Sequence, residues 1–234
     1  MKAILKRECK AYFSSPIGYV CVGVMSLLYG IYFYQVLLSG STYYISTVYS
    51  MMFTWGMMIV PIITMKTLSD DKKNKTDQLL LTSPISLYSL VFGKYLAALS
   101  VYALGMAISL IPCVVISFFA PPGWGLIFGN VLGSLLFSSA MIAIGIFLSG
   151  LTESQLIAAI STLGVSVLLM LIDQFAYILQ NEAVTALVSW ISFSSRFTPF
   201  TIGVLDIASV VFFLSVTAAF LFLAARKLQS RRWS

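Results

Sequence analysis

The sequence predicts an all-α, polytopic membrane protein with six transmembrane helices. The 234 residues are 59% hydrophobic and only 9% charged, whereas charged residues make up about 25% of a typical soluble domain. Long apolar runs recur along the chain, each near the length of about 20 residues that a helix needs to cross a bilayer. The Lys and Arg residues fall almost entirely outside these runs, as expected where apolar segments lie in lipid.

The spans are apolar runs bounded by charged or turn-forming residues. Together they predict one transmembrane domain over residues 1–234. The predicted spans cover about 17–38, 49–65, 95–119, 126–148, 156–172 and 207–225. The short connections 39–48 and 120–125 carry no charge. Two connections are longer: 66–94 is charged and contains a run of leucines, and 173–206 is rich in apolar and aromatic residues.

The distribution of positive charge predicts the orientation. A model with six spans puts 13 of the 14 Lys and Arg residues on one side. These are Lys2, Lys6, Arg7, Lys10, Lys66, Lys72, Lys73, Lys75, Lys94, Arg226, Lys227, Arg231 and Arg232. Because cations concentrate in cytoplasmic loops, both termini and the 66–94 segment are expected on the cytoplasmic side. In this context the net charge of +6 indicates membrane orientation and not nucleic-acid binding.

Residues 1–16 have the pattern of an amphipathic helix at the membrane surface. An apolar arc adjoins a cationic one, which suits a helix in the headgroup layer. The apolar arc is Leu5, Cys9, Tyr12 and Phe13, and the cationic arc is Lys6, Arg7 and Lys10. Pro16 pushes the preceding residue out of helical geometry and predicts a bend into the first span. A plain basic flank that only fixes orientation is the alternative.

The cytoplasmic segment 66–94 predicts a short leucine-bearing helix outside the membrane. Thr76 or Asp77 is suited to cap its start, and Pro84 ends it. Two turns are marginal without packing, so the leucines need a surface to cover them. That surface is either the bilayer or a groove on a partner protein. Ser86 then caps a new helix that runs through Lys94 into the third span.

The outer segment 173–206 is long and rich in apolar and aromatic residues. We expect one or two short helices at the outer leaflet, where aromatic side chains anchor. They serve either as packing over the bundle or as a lid on a pathway. In the fourth span, Gly129 and Gly133 have a spacing that permits close helix approach, more typical of internal packing than of a dimer contact.

Several chemistries are missing from the sequence. There is no His and no P-loop motif, and no base lies near a Ser or Thr nucleophile in sequence. The cysteines Cys9, Cys21 and Cys113 are far apart and form no metal-binding pair. The spans show no convincing buried charge, which disfavours a proton-coupled transporter or a cation channel. We therefore expect a chain that is not an enzyme and binds no metal or cofactor.

Two stretches carry a family resemblance. The first is Tyr12-Phe13-Ser14-Ser15-Pro16-Ile17-Gly18-Tyr19. The second is Asp70-Asp71-Lys72-Lys73-Asn74-Lys75-Thr76-Asp77-Gln78-Leu79-Leu80-Leu81-Thr82-Ser83-Pro84-Ile85-Ser86, followed by Gly93-Lys94-Tyr95. With these motifs the chain resembles the permease subunit of ABC-2 type ABC transporters, and most closely the branch of gliding-motility-associated and nitrous-oxide-reductase-maturation permeases. Asp70 and Asp71 stand where Glu is usual, and Lys75 where a turn Gly is common.

The resemblance implies partners and roles for this chain. It implies a pathway formed by two permease subunits, identical or paralogous, and a separate cytoplasmic ATPase on each, which would bind ATP and Mg²⁺. The ATPase would dock on a coupling helix in the 66–86 segment and contact the N-terminal helix. The residues implied in ATPase coupling are Asp70, Asp71, Thr76, Asp77, Gln78, Leu79, Leu80, Leu81, Pro84 and Ser86.

Two other functions remain open at this stage. The chain could be a membrane scaffold or assembly subunit that transports nothing, or a secondary transporter driven by a gradient. The family favours export. The apolar spans with scattered Ser, Thr, Tyr and Gly suit a lipid-like cargo, a peptide, or mechanical work on a partner protein.

Overall fold

A computed structural model describes residues 2–75, 86–179, 188 and 190–231, and within these ranges the chain forms helices and no strand. The helices, in chain order, are α1 (Lys2–Ser14), α2 (Pro16–Ser39), a 3₁₀ turn (Thr42–Tyr44), α3 (Ile45–Thr64), α4 (Ser69–Lys73), α5 (Leu87–Ser117), α6 (Trp124–Ser149), α7 (Gln155–Leu179), α8 (Phe193–Thr201) and α9 (Ile207–Arg231). The all-α architecture predicted from composition is therefore confirmed.

Six of the described helices are long and apolar enough to cross a membrane, namely α2, α3, α5, α6, α7 and α9. This confirms the predicted number of spans and a multi-pass membrane protein. Some helices extend beyond the apolar runs. The helix of the third span begins at Leu87 because Ser86 caps it, its side chain accepting a hydrogen bond from the backbone N–H of Ser89 at 3.3 Å.

Two spans form the centre of the bundle. In α3 and α6, 61% and 67% of the most apolar window is buried within the chain, against 17% in α7 and 22% in α9. The peripheral helices present apolar side chains outward, which suits lipid or another membrane subunit. The central pair therefore positions the other helices around it.

The junction between α1 and α2 matches the predicted bend. Ser15 has extended backbone angles, φ −102° and ψ 152°, and α2 starts at Pro16. Proline suits a first helical position because its missing N–H would have no intrahelical partner there. The helical backbone is thus interrupted at Ser15, between a short N-terminal helix and the first span.

At the other end of the bundle, α8 packs against α6. A Cβ added at Gly133 would lie 2.6 Å from Phe200, which is fully buried. Close approach of Gly129 to the backbone of Gly203 extends this contact. The two glycines therefore serve internal packing, as their spacing indicated. The predicted outer helices are represented by α8, while residues 180–187 and 189 lie outside the described part.

Candidate coupling site

The structure describes some of the residues that the resemblance places at an ATPase contact. Asp70 and Asp71 lie on α4, and Ser86 caps α5. The remaining ones, and the predicted helix that they form, lie outside the described residues: Thr76, Asp77, Gln78, Leu79, Leu80, Leu81 and Pro84. The described residues therefore show how the bundle holds the two ends of the 76–85 segment.

Helix α4 is fixed to the junction between α6 and α7. The Oδ1 atom of Asp70 accepts a hydrogen bond from Nε2 of Gln155 at 2.7 Å. The buried ammonium of Lys72 donates to the carbonyl of Gly150. The Oγ of Ser149 accepts from the backbone N–H groups that begin α4, at 3.2 and 3.0 Å, satisfying donors that a helix start leaves without an internal partner.

Helix α1 packs closely against α5. Ile4 packs against Gly93 so closely that a Cβ at Gly93 would lie 2.8 Å from it. The Tyr12 hydroxyl donates to the carbonyl of Ile63 at 2.8 Å, which supplies a partner for one of the last carbonyls of α3. Cys9 and Ser100 are hydrogen-bonded at 3.5 Å. The elements flanking the 66–94 segment are thus bound directly to α1.

The two predicted arcs of α1 are distinct in the structure. Side chains of the apolar arc are buried or half-buried against the bundle: Leu5, Cys9, Tyr12 and Phe13. Those of the cationic arc are exposed: Lys6, Arg7 and Lys10. Burial, followed by the nearby Glu8 carboxylate, raises the pKa of the Tyr12 phenol well above its ordinary value, so Tyr12 acts as a hydrogen-bond donor.

A buried ion cluster joins α1, α4 and α5, which the sequence did not predict. The ammonium of Lys94 lies 3.2 Å from Oε2 of Glu8 and 2.8 Å from Oδ2 of Asp71. The Lys94 side chain is only 3% exposed. Lys94 immediately precedes the predicted third span at 95–119, so the cluster lies where α5 extends beyond that span, and carboxylates distant in sequence stabilise the buried ammonium.

The cluster borders a cavity of about 290 Å³ between α1, α4 and α5. Both signs of charge line it, with Arg7, Asp70 and the members of the cluster among its walls. On the exposed rim, Arg7 pairs with Glu8 at 2.5 Å. The cavity leaves one side of the ion cluster free of close packing.

Lys75 adopts the turn conformation that the family pattern assigns to glycine. Its φ is +57°, in the left-handed region that costs a side-chain-bearing residue roughly 1–2 kcal/mol. The tight turn after α4 is therefore kept without the glycine, and it directs the chain into the 76–85 segment.

The fold and this site define a helical membrane protein in which polar contacts join α1, α4 and α5 at one end of the bundle. Residues 15–226 of the chain match the family described as ABC-2 family transporter protein. The match covers most of the chain, so the protein belongs to the ABC-2 transporter family as a membrane permease. A comparison with curated proteins gives no match.

Proposed function

We propose that this chain is the permease subunit of an ABC-2 type ABC transporter, driven by a separate cytoplasmic ATPase. The observation that supports this most is the position of α4. It is bound to α6, α7 and Lys94 of α5, and it directly precedes the segment that resembles a coupling helix. A partner that moves this segment would act on several spans at once.

The proposed docking surface is the segment Thr76–Ser83, with Leu79, Leu80 and Leu81 as apolar anchors. Three consecutive leucines in a charged connection need an apolar surface to cover them, and we propose that this surface is a groove on the ATPase and not the bilayer. Asp77 is proposed as a polar contact with the ATPase. Asp70 and Asp71 lie in the first turn of α4 and are already bound to Gln155 and Lys94, so we assign them the role of stabilising the start of that helix. The cations Lys6, Arg7 and Lys10, exposed on α1, are proposed as a second contact with the ATPase.

The charge distribution supports the orientation. The cations of α1, of the 66–94 segment and of the end of α9 lie on one side of a chain with six spans, and positive loops remain in the cytoplasm. We place the protein in the bacterial cytoplasmic membrane with both termini inside. Catalysis is assigned to the partner, with its ATP and Mg²⁺, because this sequence has no P-loop.

The proposed mechanism is a change between two packings of a pair of permeases. ATP brings two ATPase subunits together, the docked segments move with them, and rigid spans rotate against each other. The exposed apolar faces of α7 and α9 suit contact with a second subunit and with lipid. Export, and the gliding-motility or nitrous-oxide branch, are proposed from the resemblance of residues 70–86.

The test is loss of the ATPase from the purified complex. Leu79→Asp with Leu80→Asp places charge on the apolar anchors, and we expect at least a tenfold drop in copurified ATPase and loss of permease-stimulated ATP hydrolysis. The matched control is Leu205→Asp, at an exposed leucine before α9. This variant should copurify with a normal amount of ATPase.

Both variants should keep the melting temperature of the unchanged chain, so that loss of binding is not loss of folding. Retained ATPase in the Leu79→Asp, Leu80→Asp variant would contradict the docking. An unchanged chain that binds an ATPase but moves no labelled solute across vesicles would instead favour a scaffold. Transport without ATP hydrolysis would favour a secondary transporter.

A further inference from the structure

The ion cluster of Glu8, Asp71 and Lys94 brings together charges from three separate helices. One ammonium is shared by a carboxylate of α1 and a carboxylate of α4, at 3.2 and 2.8 Å. Lys94 is 3% exposed, and the carboxylates are 13% and 20% exposed. The cluster is therefore largely removed from water.

Stability alone does not explain such a cluster. Taking charges out of water is costly, and well-packed apolar residues of similar size often stabilise a protein as well or better. What a shared ammonium provides is a directional link. Lysine has three donors on a flexible stem, so its two ion pairs respond to any shift of one carboxylate relative to the other.

The position of the cluster fits a role in transmitting movement. Asp71 lies on α4, which precedes the 76–85 segment, and Lys94 lies on α5, which follows it. A displacement of the segment therefore reaches both sides of the Asp71–Lys94 pair. Through Glu8 it also reaches α1. The adjoining cavity of about 290 Å³ allows the ion pairs to change geometry without repacking of the core.

We propose that Lys94 is a positioning residue that couples movement of the 76–85 segment to α1 and to the third span. The proposal rests on the ATPase docking described above and adds the route by which that docking acts. The charge of the cluster is required for this coupling and is dispensable for assembly with the ATPase.

The experiment compares neutral variants of the cluster. The triple variant Glu8→Gln, Asp71→Asn, Lys94→Met removes all charge together and leaves no buried charge without a partner. Asp71→Ala alone cuts the link to α4 but keeps the Glu8–Lys94 pair. Asp70→Asn is the matched control, because it changes the neighbouring residue of α4 and retains an acceptor for Gln155.

Two properties are measured on each purified complex. The first is the amount of ATPase that copurifies. The second is labelling of a single cysteine at the exposed position Thr198, introduced after replacement of the native cysteines, with and without ATP and vanadate. The unchanged chain and Asp70→Asn should show a nucleotide-dependent difference in labelling.

We expect the triple variant and Asp71→Ala to bind the ATPase normally while the labelling difference falls at least fivefold. Lys94→Arg, which keeps the charge, should retain most of it. A full labelling difference in the neutral variants would overturn the proposal and leave the proposed function intact. Absence of any ATPase from the unchanged complex would overturn both.

Discussion

The two ends of the bundle are held together by different kinds of contact. At the end that carries α1 and α4, polar and ionic links dominate, with Lys94 at their centre. At the end that carries α8, aromatic rings dominate: Phe53 lies 4.4 Å from Phe137 and 4.5 Å from Phe197, measured between ring centroids. The same helices α3, α5 and α6 run between the two ends.

The difference indicates which end of the bundle is suited to a conformational change. Ion pairs and hydrogen bonds are directional and exchange partners, whereas interlocked rings hold one arrangement through many small contacts. Ion pairs and hydrogen bonds suit the end that carries α1 and α4, which would receive movement from a partner. Packed aromatic rings suit the opposite end, where α8 covers α3 and α6.

Among the stability changes expected here, the one at Gly133 is the largest. Gly133→Ala places a Cβ 2.6 Å from Phe200, and we expect a loss of about 1–3 kcal/mol in stability because a packed core does not accommodate extra volume. Thermal unfolding in detergent measures it. Gly164→Ala is the control, since no atom lies within 4 Å of a Cβ there. Equal melting temperatures for the two variants would contradict tight packing at this end.

A smaller effect of the opposite sign is expected at Lys75. Lys75→Gly relieves the left-handed strain at φ +57°, worth roughly 1–2 kcal/mol, less roughly 0.5–1 kcal/mol for the added freedom of glycine when unfolded. We expect a small rise in melting temperature. Lys73→Gly, within α4, should lower it. A fall for Lys75→Gly would show that this turn is not strained.

The sequence was sufficient for the features that depend on local pattern. Apolar length predicted the six described spans, Pro16 predicted the bend before α2, and Ser86 predicted the cap of α5. Each of these follows from residues close together in the chain. The same holds for the apolar arc of α1, whose helical spacing determines which side chains share a face.

The ion cluster was not predicted because its members are distant in sequence. Glu8 and Lys94 are 86 residues apart, and no periodic pattern connects them. One signal was present: Glu8 is the single acid in the basic first 16 residues. An isolated carboxylate among cations, beside the apolar arc of α1, indicates a specific partner, and Lys94 is a candidate cation for it because it lies at the start of an apolar run.

The proposed docking has its most direct test in the accessibility of residues 70–86. Single cysteines placed along this segment, in a chain without the native ones, are exposed to a membrane-impermeant reagent from each side of the membrane. We predict labelling from the cytoplasmic side only, with protection of positions 79–81 when the ATPase is bound. Labelling from the outside, or labelling at 79–81 that the bound ATPase leaves unchanged, would contradict the account.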